Sequence, residues 1–457
     1  MAPLLTLLSS HHLSLRRLPV QAGIVLAFVL FPAWLKLPGA PPPFSATYIL
    51  GLALALPVLW TGAAWLLTGC PGLRGLLHDR WRAAWALALL LLVVWSWFSQ
   101  GWALVREAQP GVAQNHTLHL ALLGAFLLAT ACAGPPPRVI VGALCLGLAW
   151  NVLLGGAQVA EQGSVGLRAL GEVVLYPARS GTSVIEAAGV RWLRPYGLLP
   201  HPNILAGVYL VGTLAALSLT LHRRPAVRLA GLGLFGAGLW LLLLSFSRGA
   251  WLGAAAGGLV LLAFWLRQWR RLLPAGLLAL LAGSAFLVLY HPFVLARAGA
   301  GQPTTEMRSI ADRLVYQQIA VAAIQEQPIL GVGGGNFPWY ASFYLFYRTD
   351  YDLRGDNVHN VYLGIQAEQG LVGVSLFSLF GIFGIIRVIQ NVRQDCDNGR
   401  IAFLGSVVAL AVVGLVDHYP WTLLHGQVMW AGLLAVALCP AAAAPVQPVA
   451  ASSARVG

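Results

Sequence analysis

Charge is what this sequence lacks most. Only 9% of its 457 residues are Asp, Glu, Lys or Arg, while 58% are hydrophobic. A soluble domain carries about 25% charged residues. Mean hydropathy is +0.75. This shortage excludes a water-soluble globular fold, which could not hide so much apolar surface. Cysteine is also scarce, with five in the chain. Cys70, Cys132, Cys396 and Cys439 fall at or near one side of the expected bundle, and Cys145 lies within a span. None is placed to bridge the long loops, so no disulfide is expected. A cleaved signal peptide is missing too: the apolar run from Val20 to Leu37 leads into further spans with no processing site and reads as a retained first helix. The chain has no GxxxxGK[ST] loop, no HExxH, and no compact set of carboxylates or thiols beside its histidines. Nucleotide and metal chemistry therefore have no motif to stand on, and neither a cofactor nor a metal is expected.

What the chain has is apolar length. Runs long enough to cross a bilayer fall at 20–37, 47–69, 83–100, 117–133, 139–156, 202–221, 229–245, 249–266, 272–290, 358–386, 401–416 and 420–439. The reading is an all-α polytopic membrane protein with about twelve transmembrane helices. One domain spans 1–440, followed by a small, Pro-rich tail over 441–457 that is expected to be disordered.

Charge sets the sidedness. With the N-terminus inside, the inner segments hold fifteen basic and three acidic residues, the outer segments twelve of each, and Arg455 completes the net +13. The positive excess thus sits on one side, as the positive-inside rule requires, with both termini cytoplasmic. A basic pI then needs no DNA or RNA. Two outer segments are long, about 157–200 and about 291–357, and the work of the protein is expected there.

Polar residues gather at the same outer face. His201 and Asn203 open the sixth span in LLPHPNILAG, in a pattern that is also ordinary helix-start grammar. Arg248 sits in the tight reversal SFSRGAWLG, where it either snorkels to lipid phosphate or binds an anion. Residues 306–327 read as an amphipathic helix with Ile310, Leu314, Ile319, Ala322 and Ala323 as its apolar stripe. Arg313 on that helix either pairs with Asp312 or supplies a second phosphate ligand. The following PILGVGGGNF permits tight turns and close backbone approach. In GDNVHNVYLG, Asp356 or Asn357 could cap the tenth span, which puts His359 in its first turn. A helix N-terminus disfavours imidazolium, and a neutral histidine suits a general base. Asp417 and His418 lie in DHYPWTLLHGQ at the start of the last span. Polar groups crowding the outer ends rather than mid-membrane argue against a secondary transporter, the alternative from a different class.

Three stretches carry a family resemblance: LLLLSFSRGAWLG, ADRLVYQQIAVAAIQEQPILGVGGGNF and HNVYLGIQAEQGLVG. Together, over about 195–435, they resemble the O-antigen ligase and polymerase superfamily and its shared Wzy_C region. The resemblance implies a GT-C-like membrane glycosyltransferase of the bacterial inner membrane, working at its outer, periplasmic face without a metal. Its donor would be a glycan on undecaprenyl pyrophosphate, and its acceptor a lipid A-core or a growing glycan. It puts the family's essential histidine on His359, with Asn360 beside it, and the family's arginines on Arg248 and Arg313. Many members carry a bulky aromatic, often tryptophan, shortly after the loop arginine, where this chain has Tyr316. On this reading the arginines hold the pyrophosphate while His359 takes the proton of the attacking hydroxyl, and inversion follows. His201, Asn203, Asn360, Asp417 and His418 would support the base or bind the acceptor. The protein is expected to act as a monomer among membrane lipids. A Wzy-type polymerase and a protein O-oligosaccharyltransferase share the donor chemistry and differ from a ligase only in acceptor.

Overall fold

The computed structural model describes residues 18–35, 49–68, 71–103, 110–179, 181–299, 304–346 and 356–440. The tail over 441–457 lies outside them, as do parts of the long second outer segment. The described chain is largely helical. Its first half comprises α1 (Leu18–Leu30), α2 (Ile49–Thr68), α3 (Pro71–His78), α4 (Arg80–Ser99), α5 (Pro110–Ala133) and α6 (Pro137–Glu161). Its second half comprises α7 (Pro202–Leu219), α8 (Pro225–Leu244), α9 (Arg248–Trp265), α10 (Trp269–Arg297), α11 (Thr304–Glu326), α12 (Phe337–Phe346), α13 (Val361–Asp395), α14 (Asn398–Val413), α15 (Tyr419–Thr422) and α16 (Leu424–Leu438). Seven helical stretches are long and apolar enough to cross a membrane. One of them, Arg248–Arg297, runs through both α9 and α10, and α1, α14, α16 and Leu118–Ala133 are shorter apolar helices. Each apolar run seen in the sequence therefore holds a helix.

One departure from an all-α chain lies in the first outer segment. Strands β1 (Val184–Ala187) and β2 (Val190–Leu193) form an antiparallel hairpin. Ala188 and Gly189 between them both have positive φ, 50° and 77°, the backbone a two-residue hairpin turn needs. Four-residue strands inside a polar loop give no long alternating signal, which is why the sequence reads simply as a loop.

The charges sort to the two ends of the bundle. At one end Asp79 caps α4 by accepting from the backbone of Trp81 and Arg82, and its other oxygen pairs with Arg387 of α13 at 2.6 Å. Arg400, 2% exposed, donates to the carbonyl of Cys439 and pairs with Asp395. At this depth a charge persists only when so partnered.

Close packing is strongest between α9 and α14. A Cβ on Gly253 would stand 2.8 Å from the Ala409 carbonyl, and one on Gly257 would stand 2.7 Å from that of Gly405. Small residues let the two backbones touch, the usual adhesive where lipid removes any hydrophobic drive between helices. This contact brings the start of α9 and the end of α14 to the same face.

The glycine-rich turn has a structural partner that the sequence conceals. Helix α13 breaks at Gly370, whose φ is +64°. The freed carbonyls of Ala367 and Glu368 accept from the backbone of Val332 and Gly333 at 2.9 and 2.8 Å, and the Leu371 amide donates to Pro328 at 2.9 Å. The Glu368 side chain accepts from the Phe337 amide at 3.0 Å. Trp95 and Trp102 donate to the carbonyls of Gln369 and Gly331. A broken helix at membrane depth is tolerated only when its polar groups are satisfied in this way. The segment from α11 to α13 adds a second core around Val315, Tyr316, Ile319, Ala320, Ala323, Phe337 and Ala341. That buried face corrects the expected stripe. Ile310 and Leu314 are exposed and Ala322 is half-buried, because the core takes the neighbouring Val315, Tyr316 and Ala320 instead.

Gly331 and Gly370 press backbone against backbone, and a Cβ on Gly331 would collide with the Glu368 carbonyl carbon. Gly331→Ala is therefore expected to lower the thermal midpoint in detergent through positive-φ strain of about 1–3 kcal/mol and the clash. Gly258→Ala, a helix position with open space around it, is expected to raise it slightly or leave it unchanged.

Candidate functional site

A buried polar chain organises the end of the bundle where α9 begins and α14 ends. Asp417, 7% exposed, follows α14 and cannot stay ionised there without partners. One carboxylate oxygen accepts from Asn203 Nδ2 at 2.7 Å and the other from the His418 amide at 2.9 Å. The Asn203 carbonyl oxygen in turn accepts from Arg194 Nη2. Arg194, itself buried, donates also to Ser183 Oγ at 2.9 Å and to the Ser245 carbonyl. Residues from the first outer segment, α7, the α8–α9 turn and the segment after α14 are thus tied together.

A cavity of about 270 Å³ opens beside this chain. Arg248, Arg297, Arg313, Asn203, Ser247 and Asp417 contribute to its wall. Its size is near the lower end for small-molecule sites, about 300 Å³. Arg248 is the first residue of α9, after Ser247. Its Nη1 donates to the Arg297 carbonyl at 2.8 Å. Arg297 ends α10 and donates from Nε and Nη2 to the Phe246 carbonyl at 3.1 and 2.9 Å. Phe246 has a φ of 49°, rare for a bulky residue. Its ring, packed among Trp251, Phe286, Tyr290 and Phe293, helps hold that strained backbone, and the two bonds from Arg297 do the same. Arg313 enters from α11 with a buried Nε that has no hydrogen-bond partner among the described residues. It forms no ion pair with Asp312 among those residues. Among the described residues, three arginines and one carboxylate line the cavity.

His359 stands immediately before α13. The helix is capped by Asn360, whose Oδ1 accepts from the Leu363 amide at 3.0 Å, and not by Asp356 or Asn357 as expected. His359 is consequently outside the first turn. Asn360 Nδ2 and the Val361 amide donate to the carbonyls of Leu415 and Gly414, at 3.1 and 2.7 Å, which fixes His359 against the Asp417 segment. The His359 and His418 rings meet edge to face at 5.1 Å and 89°. His418 Nδ1 is 2.6 Å from Thr422 Oγ1. Burial pushes the His359 imidazole down to about 4; His418 and Arg313 act in the same direction, while Asp417 and Asp356 oppose. Burial, rather than the helix end, is the main cause. Its Nδ1 is buried and unpartnered among the described residues. Burial also pushes the Asp417 carboxyl up, but His418, His359, His201 and Arg313 outweigh this and hold it below the usual carboxylate range.

The structure thus brings Arg248, Arg313, Asn203 and Asp417 to one cavity, with His418 and His359 joined to Asp417. His201 is an N-cap: its Nδ1 accepts from the Asn203 amide at 3.1 Å. Asn203 is no cap but the bridge between Arg194 and Asp417. Sequence reasoning missed Arg194 and Arg297. Arg297 carried the same signal as Arg248, a basic residue at the outer end of a span. Arg194 had no local signal, since its partner Asn203 lies beyond a proline-rich turn. Among the described residues, one set of groups could hold a metal ion: ligand atoms of His359, Asp417 and His418 all lie within 4.8 Å of one another.

Asn203→Ala would leave Arg194 and Asp417 each short of a buried partner. A loss of about 1–3 kcal/mol is expected, read as a lower unfolding midpoint in detergent. Asn203→Asp is expected to do worse, because it sets a second carboxylate against Asp417.

Residues 233–378 match the family model Wzy_C, O-Antigen ligase. That segment contains Arg248, Arg297, Arg313, His359 and Asn360, while Arg194, His201, Asn203, Asp417 and His418 come from its flanks. No curated protein matches the chain. One solved structure, from work on structural coordination of polymerization and crosslinking by a peptidoglycan synthase complex, aligns over 78% of this chain and 96% of its own at 18% identity, with a TM-score of 0.40. The match over residues 233–378 supports the assignment of this multi-pass membrane protein to the O-antigen ligase and Wzy-like superfamily.

Proposed function

We propose that the protein is an inverting, metal-independent glycosyltransferase of the ligase type. It moves a glycan from undecaprenyl pyrophosphate to an acceptor hydroxyl, that of a lipid A-core, at the outer face of the inner membrane. The observation that carries this reading is the cavity in which Arg248, Arg297 and Arg313 converge next to the Asp417–His418–His359 group. In the same reading, residues 1–440 form one GT-C-like domain of twelve spans, with α9 and α10 counted separately and both termini in the cytoplasm. It acts as a monomer.

The roles follow from charge. A pyrophosphate leaving group gains negative charge as the glycosidic bond breaks, and fixed guanidiniums meet that charge without reorganising. Bidentate guanidinium–phosphate bonding suits Arg248 and Arg313. Arg297 holds the turn that aims Arg248. His359, kept neutral by burial, accepts the proton of the attacking hydroxyl. Asp417, ionised, stabilises the imidazolium that results. A polymerase or protein O-oligosaccharyltransferase would use the same groups on another acceptor.

Incubation with a defined lipid-linked glycan and competing acceptors tests the reading, with the linkage determined in the product. Lipid A-core as preferred acceptor with inverted anomeric configuration supports it; solute flux without glycan transfer would instead make the protein a transporter. His359→Ala is expected to abolish transfer while leaving membrane insertion intact, and full activity in that variant would remove the base assignment. Arg248→Ala and Arg313→Ala are expected to weaken donor binding, and unchanged binding would take them out of the pyrophosphate site.

The depressed His359 value sets the sign of the pH dependence. Lowered to about 4, His359 stays neutral until the pH falls that far, so kcat/KM should halve near pH 4. Bound pyrophosphate favours the imidazolium, so the acidic limb of kcat should lie at higher pH. A kcat/KM limb at the ordinary histidine value would contradict the buried base. Chelators are expected to leave transfer unchanged. Loss of activity that zinc restores would reassign His359, Asp417 and His418 as metal ligands.

A further inference from the structure

We propose a second anion site at the opposite end of the bundle, which takes the phosphate headgroup of an anionic phospholipid. A groove of about 290 Å³ lies where α7 ends and α8 and α10 begin. Its lining is Thr220, Pro225, Arg228, Leu229, Leu232, Arg271 and Pro274. Helix α8 carries 20 residues between this groove and the turn that leads to Arg248. At 1.5 Å per residue that is roughly 30 Å, so the groove is separate from the outer cavity.

Four observations define the ligand. First, Arg228 and Arg271 both line the groove, and neither side chain has a hydrogen-bond or ion-pair partner among the described residues. Second, no Asp or Glu occurs between Thr220 and Pro274, while Arg223, Arg224, Arg228, Arg267, Arg270 and Arg271 do, so this stretch supplies no counterion of its own. Third, the groove takes in the first turn of α8, whose preceding residue Arg224 makes no side-chain capping bond. The amides and dipole of α8 favour an anion there. Fourth, apart from Thr220 the rest of the lining is apolar, and it continues into exposed leucine faces of α8 and α10. Leu229 is 71% exposed and Leu277 of α10 59%. Arg270 stacks over Trp269, 5.6 Å from its ring centre, in the manner of side chains at a bilayer interface.

A phosphodiester with acyl chains satisfies every part of this surface. The phosphate meets the arginines and the start of α8, and the chains run down Leu229, Leu232 and the α10 leucines. A free phosphate would satisfy only the first half. A neutral headgroup would leave the two arginines uncompensated. Basic grooves between spans attract anionic lipids by charge.

Native mass spectrometry of the full chain in detergent tests the site, with phosphatidylglycerol or phosphatidylcholine added. The wild type should retain phosphatidylglycerol and not phosphatidylcholine. The pair Arg228→Gln and Arg271→Gln should retain about thirtyfold less, while the charge-matched pair Arg74→Gln and Arg393→Gln, outside the groove, should bind as the wild type does. Equal loss in both pairs would overturn the groove in favour of general surface charge. Equal binding of the two lipids, or full displacement by millimolar inorganic phosphate, would also overturn it. If the Arg228 and Arg271 pair does not fold, the exposed Arg271→Gln alone carries the same comparison, with a several-fold loss expected and no loss contradicting the site.

Discussion

Burial of Asp417 is the constraint from which the outer face follows. A carboxylate that is 7% exposed needs hydrogen bonds and positive charge around it. Asn203 and the His418 amide supply the bonds, and Asn203 can do so only while Arg194 occupies its other side. Arg194 reaches back to the carbonyl of Ser245, just before the turn that leads to Arg248. One buried charge therefore ties together the ends of four elements that are far apart in sequence, and the cavity lies against that knot. The small-residue contact of α9 with α14 makes this geometry possible, because it carries Arg248 and Asp417 to the same end of the bundle.

Two charge patterns coexist. At one end Arg387 pairs with Asp79 and Arg400 with Asp395. At the end where α9 begins, Arg248, Arg297 and Arg313 converge on a cavity. Net charge alone does not tell these apart. Both ends handle anionic groups in our account, but the outer one adds a histidine that burial keeps unprotonated, and only there can proton transfer accompany anion binding.

The apolar runs made the helices legible, since bilayer length and hydropathy act locally. Arg248, Arg313 and His359 were legible as polar groups with no reason to be at span ends. What stayed hidden depends on contacts across the fold. The role of Asn203 is fixed by Asp417, 214 residues away. The GVGGGNF stretch reads only as permitting tight turns and close approach, whereas its backbone repairs the break in α13 at Gly370. The buried face of α11 was misplaced because Tyr316 was weighed as a family variant and not as a core residue. Arg297 was overlooked because its value lies in holding the Phe246 carbonyl, a contact between two span ends.

The central claim is that a lipid-linked pyrophosphate is held at the outer arginine cavity. A cryo-electron microscopy structure with undecaprenyl pyrophosphate bound measures this directly. The account predicts both phosphorus atoms between Arg248, Arg297 and Arg313, with the polyprenyl chain leaving between spans and His359 free to face an acceptor. Pyrophosphate density found only in the inner groove at Arg228 and Arg271, with the outer cavity empty, would contradict it.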